Sequence, residues 1–270
     1  MKIVTFQGGL GNQMFQYQFY LWLQKQTDDK IFGYYPSKGL RNHNGLEIEQ
    51  CFSDVILPTS NLFIDFYVKF LKLLNKTKIK NTISSKDNYD INKIIFEDYW
   101  LDLKYLSKFR FELKEELLVK NAQNIELLNN INRINSVSVH IRRNDYLNEK
   151  YSKIYDGICN ANYYNAAVDY VFAKDKNVVF YVFSDEIDWC KEKMNIPNAI
   201  FVDCNKGKDS ILDLYLMSRC KTNIIANSTF SWWAAYNNQN AHKTIIAPKR
   251  WFNENTFKEP DIFPENWIRL

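Results

Sequence analysis

Between residues 137 and 247 five short apolar runs alternate with four segments of helical length, and few folds accommodate that rhythm. The runs are 137–141, 178–183, 199–202, 223–226 and 244–247, and the helix-length segments are 161–174, 186–194, 209–219 and 231–239. Runs this short and this apolar read as strands buried on both faces. Helical crossovers between such strands are right-handed and bring each one back parallel to the last. The pattern predicts an α/β unit around a parallel sheet, with its ligand crevice at the carboxyl ends of the strands. Every polar motif that directly follows one of those runs is therefore a site candidate.

The first half opens in the same way, with a strand at 2–7, a glycine turn, a helix over about 12–26 and a strand-like run at 30–35. Beyond that the pattern loosens. Phe63, Phe66, Tyr67, Phe70, Leu71 and Leu74 recur at helical spacing, with Asp65, Lys69, Lys72, Lys76 and Lys78 on or beyond the other face, which predicts a basic amphipathic helix. Such a helix is either a half-buried surface element or a contact with an anionic membrane surface or lipid-linked substrate. Residues 112–135 read as a helix and a polar connector into a second domain. The expected division is 1–135 for an N-terminal domain and 136–270 for a C-terminal one.

Composition narrows the function classes. A hydrophobic fraction of 46% with 19 Phe and 17 Tyr excludes a disordered or low-complexity chain. A net charge of +4 is too small for a non-specific nucleic-acid footprint, leaving room for a local basic site for one anionic ligand. The five cysteines include no C-x-x-C pair and read as scattered thiols of a reducing compartment. The three histidines stand far apart, and neither H-E-x-x-H nor Asp-x-Asp occurs, so a metal-independent mechanism with no cofactor is expected. No signal peptide and no run of ~18 apolar residues is present, which predicts a cytoplasmic protein, with the inner face of the plasma membrane as its one membrane contact.

Five motifs carry the chemistry. Gly8-Gly9-Leu10-Gly11-Asn12-Gln13 follows the first strand and opens a helix, where a glycine turn lets backbone N–H groups approach a phosphate. Met14 stands where a dinucleotide fingerprint needs its third glycine, which disfavours a nicotinamide dehydrogenase. His140-Ile141-Arg142-Arg143-Asn144-Asp145 ends the strand at 137–141, and two arginines there suit phosphate oxygens. Ser184-Asp185 follows the next run and reads either as a helix cap or as part of the site. Asp213 is a carboxylate in an apolar helix that would pair with a guanine edge, if it is not simply solvated. Asn227-Ser228-Thr229-Phe230-Ser231 opens the helix carrying Trp232 and Trp233, and forms an anion cradle in excess of what capping needs.

Taken together, these motifs resemble the α-1,2-fucosyltransferases of glycosyltransferase family 11, in order and from the first strand to the Trp232-Trp233 pair. The resemblance implies a GT-B arrangement of two Rossmann-like domains facing a cleft, with GDP-fucose held mainly by the C-terminal domain, 136–270, and the acceptor by the N-terminal one, 1–135. Carried over by motif, Arg142 binds the β-phosphate, His140 lies near the nucleoside and Asp213 takes the guanine edge. Ser228, Thr229 and Ser231 line the diphosphate, and Ser184, Asp185, Asn227 and Phe230 belong to the same donor site. Gly9, Gly11, Asn12 and Gln13 face the donor from the N-terminal domain. The acceptor is a galactose-containing oligosaccharide or lipid-linked glycan, in bacterial surface-polysaccharide synthesis.

Transfer of a sugar from a nucleoside diphosphate develops negative charge on the leaving diphosphate, and without a metal fixed cations and dipoles must meet it. Arg142, Arg143 and the helix start at 228–231 are the candidates for that work. Inversion needs an attacking hydroxyl and usually a base. Asp145 is the carboxylate nearest the arginines and is either that base or the group that orients Arg142. A transferase of different donor or acceptor, and a non-catalytic nucleotide-binding module, are the competing readings.

Overall fold

A computed structural model describes residues 1–36, 44–57 and 62–270, the side chain of Asp145 excepted. Its contacts divide the chain into two compact units, Met1–Glu112 and Leu113–Leu270.

The N-terminal unit runs β1 (Lys2–Thr5), α1 (Leu10–Gln24), β2 (Ile31–Tyr34), α2 (Ile48–Cys51), α3 (Leu62–Lys76), β3 (Ile83–Ser84) and β4 (Ile95–Phe96). Its strands form a parallel sheet in the order β2-β1-β4-β3. Alternation along the strands sends Ile3 and Ile95 to one face, where Ile64, Val68 and Leu71 of α3 cover them. Phe96 points the other way, into an aromatic cluster in which Phe19 of α1 stacks on Trp100 with ring centroids 3.6 Å apart. Helix α1 is buried along most of its length and carries three fully buried amides, Gln13, Gln16 and Gln18. Buried amides must find partners, and these three reach distant loops: Gln16 holds the backbone of Gln7 and Asp98, and Gln18 that of Ser107 and Phe109.

The C-terminal unit runs α4 (Glu115–Val119), α5 (Ala122–Arg133), β5 (Ser136–Ile141), α6 (Glu149–Tyr155), α7 (Ala161–Lys174), β6 (Val179–Ser184), α8 (Ile187–Lys193), β7 (Ala199–Val202), α9 (Ser210–Arg219), β8 (Thr222–Ile224), α10 (Thr229–Tyr236), β9 (Thr244–Ala247) and β10 (Ile268–Arg269). The five strands and four helices read from the sequence are all present, with ends shifted by a few residues. Asparagines start several helices, Asn121, Asn148 and Asn160 each accepting a backbone N–H of the first turn. Val137, Val139 and Ile141 face the core beneath α7 and α8. Ser138 and His140 take the opposite face, where Ser138 accepts a 2.7 Å bond from Asn223 on β8.

The unit boundary differs from the expected one after residue 135. Asn124 on α5 exchanges two amide hydrogen bonds with Asn205, at 2.8 and 2.9 Å, and α5 packs on α9, so the segment read as a connector belongs to the C-terminal unit.

All strands of this sheet are parallel, in the order β10-β9-β8-β5-β6-β7. The chain builds outward from β5 through β6 to β7, then returns to the other side of β5 and builds outward again. The reversal places a switch point between the carboxyl ends of β5 and β8, which is where open α/β sheets bind ligands.

Candidate active site

The end of β5 supplies His140, Arg142 and Arg143, and the segment after β8 supplies Asn227 and the start of α10, so two of the sequence motifs meet at the switch point. A bond from the Tyr146 hydroxyl to the Asn227 carbonyl, 2.8 Å long, joins them. A small cavity there is lined by residues that include Arg142, Arg143, Tyr146, Tyr155, Cys159 and Asn227.

Arg142 is held by the β6 loop. Its Nε lies 3.2 Å from Asp185 Oδ2, and Asp185 Oδ1 accepts the backbone N–H of Arg143 at 3.0 Å. The guanidinium also stands over the Tyr146 ring, 6.0 Å from its centroid. A side chain gripped by a carboxylate and an aromatic face keeps one orientation, and a guanidinium so oriented suits phosphate oxygens. Arg143 points elsewhere: its guanidinium lies 3.5 Å from the Trp189 ring centroid and its Nε 3.1 Å from Glu186. Arg143 thus fastens the end of β5 to α8, while still bordering the cavity beside Arg142.

The start of α10 has the opposite character. Ser228 is its N-cap residue, yet its side chain makes no capping bond. A helix start carries the positive end of the helix dipole, which favours an anion. Thr229 and Phe230 are half-buried beside it, while Ser231 is fully buried and bonds back to the Ser228 carbonyl at 3.4 Å. Asn227 is buried too, with its amide on the carbonyls of Trp251 and Tyr155, so it shapes the turn. Trp232 and Trp233 are core, as their position in the helix predicts.

His140 is buried, with Phe230 5.8 Å away between ring centroids, and its Nδ1 has no hydrogen-bond partner among the described residues. Burial, reinforced by the Arg142 charge, pushes its pKa down to about 3 and keeps the imidazole neutral. A buried ring nitrogen without a partner in a ligand crevice is what a nucleoside hydroxyl or base edge would satisfy. Ser184 is occupied locally, accepting the Glu186 N–H at 3.0 Å.

Asp213 sits in the first turn of α9, near the end of β7, two strands from β5. It accepts a 2.7 Å bond from Asn205, which the Asn124 pair holds in turn. Burial raises its pKa to about 7 despite that bond. Helix α9 packs on α10. Asn205, Asn124 and Tyr146 were not picked out in the sequence: their partners lie 81 residues away, and no local spacing announces such a contact.

In the N-terminal unit the glycine turn is tight for a stated reason. Gly8 has φ +77°, and a Cβ there would lie 2.6 Å from the Asn12 side chain. Gly9 is the N-cap of α1, with no side-chain bond, and its carbonyl accepts the N–H groups of Asn12 and Gln13; Gly11 lies within the helix. Gln13, expected to face the donor, makes its hydrogen bonds within its own unit. Its amide donates to the carbonyls of Gly8 and Gly45, and its oxygen accepts the N–H groups of Glu47 and Ile48, at 2.9 to 3.2 Å. All of its hydrogen-bonding capacity is consumed in tying the segment at 45–48 to the turn. Asp145, the expected base, has its side chain outside the described residues.

The family model for glycosyl transferase family 11 matches residues 58–270. An α-1,2-colitosyltransferase of Escherichia coli is 31% identical over 97% of this chain and 96% of its own length. O-antigen biosynthesis glycosyltransferase WbnK, also of Escherichia coli, is 28% identical over 97% of this chain and 98% of its own. Galactoside α-(1,2)-fucosyltransferase 1 of Leontopithecus chrysomelas is 30% identical over 37% of this chain and 28% of its own length. Among solved structures, the fucosyltransferase NodZ from Bradyrhizobium superposes with a TM-score of 0.53 at 14% identity, covering 87% of this chain and 91% of that one. A NodZ crystal grown with GDP gives 0.51. The fold is thus the GT-B-like α/β fold of two units with parallel sheets, and the chain belongs to glycosyltransferase family 11.

Proposed function

We propose that this family 11 glycosyltransferase moves L-fucose from GDP-β-L-fucose to the 2-hydroxyl of a galactoside, with inversion and without a metal. The observation that carries the reading is the meeting, at the switch point, of an Arg142 fixed by Asp185 with the start of α10, joined by the Tyr146–Asn227 bond. A cation and a helix dipole brought to one place suit the charge that develops on a leaving diphosphate. GDP is the nucleotide to try first because NodZ, of like fold, is crystallised with it. In this reading His140 meets the nucleoside through its unpartnered Nδ1, and Asp213 accepts the two N–H donors of the guanine edge. Asp145 is proposed either as the base taking the proton from the acceptor hydroxyl or as a further group orienting Arg142. The acceptor is a β-galactoside, and O-antigen synthesis, the process named for WbnK, is the proposed setting.

One finding favours a second donor: the relative matching 97% of the chain at 31% identity transfers colitose in an α-1,2 linkage. Turnover with GDP-fucose and with GDP-colitose on a β-galactoside, with the product linkage read by NMR, separates the two. An α-1,2-fucoside as the faster product supports the first reading, an α-1,2-colitoside the second, and GDP release with neither acceptor nor sugar dependence contradicts both.

A further inference from the structure

Helix α3 is apolar on two sides. Its inner side packs on the sheet through Ile64, Val68 and Leu71. At 3.6 residues per turn, Leu62, Phe63, Phe66, Phe70 and Leu73 fall within an arc of about 100° on the opposite side. These five side chains are between 48% and 88% exposed. An ordinary surface helix carries polar residues there, so the fold of the unit does not account for this ridge. Exposed apolar clusters of this kind mark interaction surfaces.

Charge identifies the partner. Lys69 and Lys76 flank the ridge on one edge, and Lys78 and Lys80 follow it on either side of Ile79, itself 74% exposed. Lys72 is anchored to Glu97 at 2.6 Å and stays with the protein surface. Residues 62–80 hold five lysines and one aspartate, a formal +4 that equals the net charge of the entire chain, so the rest of the sequence is balanced. A second copy seated on the same face would bring lysines against lysines, because a two-fold interface joins identical patches. A negatively charged bilayer reverses the sign of that interaction.

We infer that the outer face of α3 is a docking site for an anionic lipid surface. The helix lies in the plane of the interface, with Phe63, Phe66 and Phe70 at the acyl boundary and Lys69, Lys76, Lys78 and Lys80 at the headgroups. The inference is independent of which sugar is transferred, since no residue of the candidate active site takes part in it.

Co-sedimentation of the full chain with vesicles tests it. The wild type should pellet with vesicles of equal parts phosphatidylglycerol and phosphatidylcholine, release at high salt, and stay in solution with pure phosphatidylcholine. Phe63→Ser/Phe66→Ser/Phe70→Ser should lose binding, and Lys69→Gln/Lys76→Gln should weaken it about tenfold or more, at roughly fivefold per lysine. Unchanged circular dichroism and melting show that these exposed substitutions leave the fold intact. Equal pelleting on both vesicle types, pelleting unaffected by either variant, or a wild-type dimer that the triple variant dissociates would overturn the inference.

Discussion

Arg142 and Asp185 are joined by a contact of 3.2 Å from Nε to Oδ2, while the second oxygen of the same carboxylate holds the backbone of the next residue, Arg143. One side chain thus fixes both the end of β5 and the direction of the guanidinium. Asp185→Asn keeps the backbone bond and loses the charge. A charge-assisted hydrogen bond is worth about 1.5–3 kcal/mol, and partial exposure reduces that. The expected result is a fall of about tenfold in kcat, with GDP affinity changed much less. Steady-state kinetics beside calorimetric titration of GDP measure the two, and an equal loss in both would make Asp185 a nucleotide ligand instead of a positioning group.

Gln13 gives a prediction of the opposite kind. Gln13→Leu leaves the N–H groups of Glu47 and Ile48 and the carbonyls of Gly8 and Gly45 without their partner. Each buried backbone group left unsatisfied costs about 1–3 kcal/mol, and partial relaxation brings the expected loss of unfolding free energy to about 3 kcal/mol. Urea denaturation reads it. Unaltered stability with weakened GDP binding would return Gln13 to the donor site.

The pH dependence follows from Asp213. Its carboxyl titrates near 7 in the folded chain against an ordinary 3.8, raised by burial against the opposing Asn205 bond. The folded state therefore keeps a proton that the unfolded state releases, and this residue's contribution to stability is full below about pH 4, declines up to about 7 and is flat above. Asp213→Asn should remove that slope from the pH dependence of unfolding. If the carboxylate accepts a guanine edge, GDP affinity should rise as pH passes through 7 in the wild type and stay level in Asp213→Asn. Calorimetric titration across that interval distinguishes a guanine ligand from a structural acid.

Much of this was legible because it is local. Val137, Val139 and Ile141 alternate with Ser138 and His140, and that period of two predicts a strand whose polar end carries Arg142. The sequence resemblance rests on the same short motifs, and the family match agrees with it. The illegible parts are long-range. The amide of Gln13 suits a sugar hydroxyl and a backbone loop equally, and three of its four partners lie more than thirty residues on, at 45–48. The contacts of Arg143 with Trp189 and Glu186, 46 and 43 residues on, are equally invisible in the sequence. Strands β3, β4 and β10 span two residues each, too short to show any period. The unit boundary moved for the same reason, since Asn124 finds Asn205 only in the folded chain.

The central claim is that Arg142, set at the switch point, meets the charge of the leaving diphosphate without help from a metal. Single-turnover transfer from GDP-fucose to a β-galactoside in excess EDTA, comparing the wild type with Arg142→Ala and Arg142→Lys, tests it most directly. Removing a donor of this kind costs about 3 kcal/mol, or ~100-fold in rate. The account predicts full wild-type activity in EDTA, a loss of that size or larger in Arg142→Ala, and partial recovery in Arg142→Lys. Wild-type transfer that stops in EDTA and resumes with added magnesium, or an Arg142→Ala enzyme within a few-fold of wild type, would contradict it.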